Sequence, residues 1–163
     1  MKLDLLFIVA HPDDVELAAS GTILKSKAEG KTVGVLDLTK GELGTRGTVE
    51  TRKAEATEAS KILGLDVRDN LGIRDGFFKN DEEHQLEVIK MVRKYQPEII
   101  IGHSIGGAAC VYHQYLFPNT SINKMVILGA PSDLKTLIDN YISMLSLNTR
   151  MLSLLEGKFI NRF

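Results

Sequence analysis

The chain has 163 residues, of which 44% are hydrophobic, and 20 basic and 21 acidic side chains give it a formal charge of -1. These values are ordinary for a globular domain, and no charge surplus favours nucleic acid or an anionic membrane surface as a partner. The single cysteine, Cys110, excludes an internal disulfide. The apolar runs are shorter than the roughly 20 residues that span a bilayer, so we expect a cytoplasmic protein.

Apolar stretches of strand length alternate with segments of helical periodicity along the chain. The predicted strands cover residues 2–10, 32–38, 65–70, 97–102 and 123–129. The predicted helices cover residues 14–30, 48–64, 80–95, 105–117 and 132–156. This alternation is typical of an α/β fold in which helices cover both faces of a parallel sheet. We therefore predict a single α/β domain over residues 1–163, a three-layer Rossmann-like sandwich of about five strands in the order 3-2-1-4-5.

The second predicted helix has an apolar side and a charged side. We expect Ala59, Ile62 and Leu63 to face inward, and Arg52 and Glu55 to face solvent. The loop before this helix, residues 39–47, contains three glycines and follows a strand end. Loops at the carboxyl ends of parallel strands often carry function.

Polar side chains follow the first predicted strand directly, in the segment Ala10-His11-Pro12-Asp13-Asp14-Val15-Glu16. A histidine and two carboxylates at a strand end favour a divalent metal site. In such a site one carboxylate binds the metal, and its neighbour takes a proton from the bound water. The alternative is that Asp13 or Asp14 only caps the following helix.

This segment resembles the mark of the PIG-L-type zinc deacetylases, Ala-His-Pro-Asp-Asp-x-Glu, and the resemblance covers about residues 1–101. Further matching positions are residues 37–39, 41–48, 52, 55–56, 70–71, 75–78 and 95–98. Within the family, the chain is most similar to the N-acetylglucosaminyl-malate deacetylases of bacillithiol biosynthesis. The resemblance implies zinc held by His11 and Asp14, Asp13 as general base and Arg46 as a substrate contact. The implied reaction is hydrolysis of an N-acetyl group from an amino sugar.

The family's third zinc ligand lies in a His-x-Asp-His type motif just after the fourth strand, and this chain lacks that motif. After Ile101 the sequence continues Gly102-His103-Ser104-Ile105-Gly106-Gly107. Catalytic zinc sites normally use three protein ligands, so the sequence predicts weak zinc binding or none. His103 is a replacement candidate, because the fourth strand neighbours the first in the predicted order. The alternative is a histidine packed beneath the following turn.

The same stretch has the pattern G-x-S-x-G between a strand and a helix, which is typical of a nucleophile elbow with Ser104 as nucleophile. Residues from about 100 to 163 resemble a fragment of an α/β-hydrolase. His113 is the only histidine after Ser104, and it lies about 13 Å along the predicted helix at ~1.5 Å per residue. It cannot be the base of Ser104, so this site is incomplete as well.

Two resemblances that meet near residues 97–104 lead to three hypotheses. The first is an engineered or recombined chimera of a deacetylase-like half, 1–101, and a hydrolase-like half, 102–163, with vestigial sites and little activity. The second is an active metal-dependent deacetylase in which His103 replaces the lost ligand, and the third is a serine esterase. An amino-sugar substrate is expected only if the chain is active. We also expect self-association through apolar positions of the last helix, namely Leu134, Leu137, Ile138, Tyr141, Ile142 and Leu145.

Overall fold

A computed structural model describes residues 1–79, 81–103, 107 and 124–128. In this part of the chain the strands are β1 (Leu5–Val9), β2 (Val33–Thr39), β3 (Val67–Ile73), β4 (Ile99–His103) and β5 (Lys124–Leu128). They form one five-stranded sheet in the order β3-β2-β1-β4-β5, and neighbouring strands are parallel. The predicted fold class and strand order are confirmed.

Two apolar clusters fill the space between the sheet and its helices. The described helices are α1 (Asp14–Ala28), α2 (Val49–Leu63) and α3 (Glu82–Tyr95). Side chains of α1 pack on one face of the sheet, and side chains of α3 pack on the other. Every residue of β1 and β2 is buried, which explains the apolar sequence of β1 and the mostly apolar sequence of β2, where Asp37 and Thr39 are the buried polar residues.

Local sequence signals set the helix ends. Thr48 caps α2, because its hydroxyl accepts a hydrogen bond from the backbone N–H of Thr51. Gly64 ends the same helix in the left-handed conformation, with a φ of 67°. Asp81 caps α3 by accepting from the N–H of His84.

The predicted inward face of α2 is wrong in part. Ile62 is 77% exposed, whereas Ala56 and Leu63 are buried. Ile62 and Leu63 are consecutive apolar residues, and their side chains lie about 100° apart around the helix. Because of this separation, only one of the two side chains faces the sheet. Arg52 is also misassigned, because its side chain is only 18% exposed and lies at the candidate site.

Several predictions fall outside the described residues. They are the helix at 105–117 except for residue 107, the helix at 132–156, the nucleophile elbow at Ser104 and the self-associating apolar positions. Among the residues that the structure describes, none of the helices is both long and apolar enough to cross a bilayer.

Candidate metal and active site

The parallel sheet brings the ends of β1 and β4 together. Ile8 of β1 pairs with Gly102 of β4. His11 lies two residues after β1, and His103 is the last residue of β4, so the two histidines lie at the same end of neighbouring strands. Asp14 opens α1 in the same place. The three predicted metal ligands therefore meet at one edge of the sheet, as the strand order predicts.

Asp14 lies between the two histidines. Its Oδ2 atom accepts hydrogen bonds from the backbone N–H groups of Ala10 and His11, at 3.1 and 3.0 Å. The same oxygen lies 3.8 Å from Nδ1 of His11 and 4.0 Å from Nδ1 of His103. Asp14 thus fixes the turn that leads from β1 into α1 and presents its carboxylate to both rings.

His11 binds a second carboxylate on its other nitrogen. Nε2 of His11 lies 2.9 Å from Oδ1 of Asp75, which follows β3. Burial opposes the charge of Asp75, but hydrogen bonds from His11 and from the N–H of Leu43 hold the pKa of this carboxyl below its usual range. The Asp75 carboxylate is therefore an acceptor at neutral pH, and Nε2 of His11 is the donor.

The donor set of His11, Asp14 and His103 fits a zinc ion chemically. Nδ1 of His103 is buried and has no hydrogen-bond partner among the described residues. No three His, Cys, Asp or Glu side chains in the described part of the chain already stand at metal-binding separations. Tetrahedral zinc with bonds of about 2.0–2.1 Å requires donors roughly 3.4 Å apart. The two nitrogens lie 3.8 and 4.0 Å from the Asp14 oxygen, each about 0.5 Å beyond this separation.

Asp13 takes no part in capping α1. It occupies the cap position, but its side chain makes no capping hydrogen bond. Its carboxylate is 55% exposed and accepts from Nη1 of Arg52 at 3.1 Å. The capping alternative is therefore wrong for Asp13, whose carboxylate pairs with Arg52 instead.

Arg52 reaches Asp13 by passing beneath the glycine loop, residues 40–47. A side chain at Gly44 would collide with the Arg52 guanidinium, and one at Gly41 would come within 3.3 Å of it. Nη2 of Arg52 also donates to the carbonyl of Arg46 at 3.4 Å. The glycines thus leave room for an arginine that joins the loop to Asp13.

A buried ion cluster centred on Arg68 contacts the turn between β1 and α1, which carries His11 and Asp14. Arg68 donates to both carboxylate oxygens of Asp37, at 2.8 and 3.0 Å, and also to Glu16. It donates further to the carbonyl of Pro12 at 2.7 Å. Burial disfavours its charge, but the carboxylates of Asp37 and Glu16 raise the pKa of Arg68. The cluster ties β2 and β3 to the turn that carries the predicted ligands.

The structure describes the positions of some of the predicted site residues but not of all. His11, Asp14 and His103 come together, Asp13 precedes Asp14 and pairs with Arg52, and Arg46 lies on the glycine loop as an exposed residue. Ser104 lies outside the described residues. Sequence reasoning assigned no role to Asp75, although its place after β3 at the same sheet edge was a usable signal.

Comparison with known proteins identifies the family. The family model described as PIG-L, GlcNAc-PI de-N-acetylase, matches residues 6–115. The chain belongs to the PIG-L family. This match begins in β1 and continues past the predicted joint at residues 97–104. The comparisons give no support to a hydrolase-like second half.

Relatives within the PIG-L family include sugar deacetylases. The chain is 39% identical over 59 residues to the 1D-myo-inositol 2-acetamido-2-deoxy-alpha-D-glucopyranoside deacetylase of Segniliparus rotundus, across 36% of this chain and 19% of that enzyme. The crystal structure of the conserved protein TT1542 from Thermus thermophilus is similar, with a TM-score of 0.72 and 34% identity over 78% of this chain and 66% of that one. The N,N'-diacetylchitobiose deacetylase from Pyrococcus horikoshii has a TM-score of 0.65 and 25% identity over 72% of this chain and 52% of its own. The chain therefore spans less than two thirds of each relative.

Proposed function

We propose that this PIG-L family chain is a metal-dependent N-deacetylase that hydrolyses the acetamido group of an amino sugar. The observation that carries the proposal is the meeting of two histidine nitrogens around Oδ2 of Asp14, at 3.8 and 4.0 Å. His103 supplies the third ligand in place of the missing His-x-Asp-His motif. The names of two relatives, both deacetylases of acetamido sugars, support the reaction class.

His11, Asp14 and His103 would hold the metal, for which zinc is the family's choice. A bound zinc ion polarises a carbonyl oxygen and lowers the pKa of bound water. The chain's own contribution is orientation, because Asp14 is fixed by two backbone N–H groups and His11 by Asp75. Ligands held in this way need little rearrangement when the site fills.

Asp13 is the general base of the proposal. Its exposed carboxylate takes a proton from the attacking water, while the water oxygen adds to the acetyl carbon. The C–N bond then breaks, the proton passes to the departing amine, and the products are acetate and the free amino sugar. Arg52 holds the Asp13 carboxylate in place at 3.1 Å through these steps.

Arg46 is the substrate contact of the proposal. It lies on the glycine loop, its side chain is exposed, and its carbonyl is held by the same arginine that binds Asp13. A guanidinium there can donate to sugar hydroxyls or to an acidic substituent. We therefore propose an N-acetylglucosamine conjugate as the substrate, with N-acetylglucosaminyl-malate as the first one to test.

The test is acetate release from N-acetylglucosaminyl-malate by the purified chain, with zinc and with a chelator. We expect zinc-dependent release of one acetate per free amine formed. Asp13→Asn should lower the rate about 10²–10⁴-fold without changing zinc binding. His84→Gln is a matched control, because His84 binds Asp81 at the start of α3.

A chain that binds no zinc and releases no acetate would contradict the proposal. That result would favour a PIG-L family chain with an inactive site. Zinc-independent ester hydrolysis that Ser104→Ala abolishes would favour the third hypothesis instead. Ser104 lies outside the described residues, so no described contact bears on the esterase hypothesis.

A further inference from the structure

Asp75 contacts the candidate site through both carboxylate oxygens. It lies two residues after β3 and is buried. Oδ1 is 2.9 Å from Nε2 of His11, and Oδ2 accepts from the backbone N–H of Leu43 at 3.3 Å. Its own N–H donates to Oε1 of Glu42 at 2.8 Å. One side chain therefore touches a predicted metal ligand and the glycine loop together.

The bond to Asp75 determines which nitrogen of His11 carries the proton. A carboxylate only accepts hydrogen bonds, so the His11 nitrogen that faces Asp75 must be the protonated one. In the neutral ring the other nitrogen, Nδ1, then keeps its lone pair. Nδ1 is the atom that lies 3.8 Å from Oδ2 of Asp14.

The alternative tautomer would be unsuited to metal binding. With the proton on Nδ1, the ring would direct an N–H group toward Asp14, and its lone pair would face the Asp75 carboxylate. Two acceptors at 2.9 Å would then repel each other. Asp75 disfavours that state whether or not a metal is bound.

We propose that Asp75 is a positioning residue that holds His11 in the Nε2–H tautomer and couples this ring to the glycine loop. The consequence for metal affinity rests on the proposed function, whereas the tautomer assignment does not. The coupling is close, because a side chain at Gly76 would come within 2.7 Å of the Leu43 side chain. Loss of the Asp75 carboxylate should therefore disturb the ligand and the loop together.

The tautomer can be measured without metal by long-range ¹H–¹⁵N correlation of the histidine rings, at a pH where the rings are neutral. The wild-type chain should show His11 with its proton on Nε2, and His11→Gln identifies the signal. Asp75→Ala should give a mixture of both tautomers. Asp75→Asn should also give a mixture, because its single amide oxygen cannot accept from both His11 and the N–H of Leu43. Asp69→Ala is the matched control, since Asp69 of β3 binds Lys94 instead.

A zinc competition titration of the same variants measures the consequence. Substitution of residues that orient metal ligands typically lowers metal affinity about 10–100-fold, and we expect this range for Asp75→Ala. Asp75→Asn should also lower the zinc affinity, and Asp69→Ala should leave it unchanged.

Four results distinguish the failure of this inference from the failure of the proposed function. His11 protonated on Nδ1 in the wild type, or an Nε2–H form unchanged in Asp75→Ala, would overturn the assignment. Equal zinc affinity in wild type and Asp75→Ala would overturn the claimed consequence. A wild-type chain that shows the Nε2–H form but binds no zinc would support the tautomer assignment and refute the proposed function.

Discussion

Replacing Arg68 by methionine tests the buried ion cluster that supports the site. Arg68 and Asp37 have side chains only 9% and 4% exposed, so their charges are screened little by solvent. Methionine fills much of the arginine volume but leaves the Asp37 carboxylate buried without its partner. Breaking a buried pair in this way typically costs about 3–5 kcal/mol of the free energy of unfolding.

The loss of unfolding free energy in Arg68→Met should depend on pH, and the pKa of Asp37 determines the direction. Burial raises the pKa of Asp37 above its ordinary value, even with Arg68 beside it. A carboxyl with a raised folded-state pKa contributes stability at low pH, and this contribution is lost as the pH rises through the folded-state pKa. Without Arg68 the pKa rises further, so the difference in stability between Arg68→Met and wild type should narrow as the pH falls from 7.

Urea unfolding at several pH values measures these free energies. The double variant Arg68→Met/Asp37→Leu serves as control, because it removes the buried carboxylate and should recover most of the loss. Glu16 keeps 23% exposure and can be rehydrated. A loss below ~1 kcal/mol at pH 7, or a double variant no more stable than the single one, would refute this reasoning.

Three further predictions concern the site and α2. Arg52→Gln should lower kcat/KM about tenfold, or ~1.4 kcal/mol, by freeing Asp13, with zinc affinity unchanged; initial rates equal to the wild type would contradict this. In urea unfolding, Ile62→Gln should change the free energy of unfolding by less than ~0.5 kcal/mol, whereas Leu63→Ala should lower it by about 2 kcal/mol or more. A larger loss for Ile62→Gln than for Leu63→Ala would contradict the observed inward face of α2. Thr48→Ala should cost ~1 kcal/mol and lower Tm by about 3 °C in circular dichroism melting, whereas Thr48→Ser should not; an unchanged Tm for the alanine variant would exclude the cap.

The sheet could be predicted because its signals are local. An unbroken apolar run of strand length marks β1, a mostly apolar run marks β2, and the crossover rule supports the strand order. The inward face of α2 could not be predicted fully. Ile62 and Leu63 are both apolar, and the choice between them depends on how the helix is rotated against the sheet.

The positions of the candidate ligands could be predicted from the sequence, but the residues that contact them could not. His11 and Asp14 share one short segment, and the strand order placed His103 beside them. Asp75 contacts His11 across 64 positions of the chain, and no local pattern marks that pairing. In the sequence, Arg52 resembles an ordinary solvent-exposed charge of an amphipathic helix. Only the tertiary contact with the glycine loop shows that its side chain is mostly covered.

Zinc stoichiometry of the purified chain tests the central claim most directly. The wild type should bind one zinc ion per chain, and His103→Ala should weaken this binding at least about 100-fold, because each ligand carries a large share of the binding free energy. His84→Ala should bind zinc as the wild type does, since His84 lies at the start of α3. A wild type that binds no zinc, or a His103→Ala variant that binds it equally tightly, would contradict a metal centre of His11, Asp14 and His103.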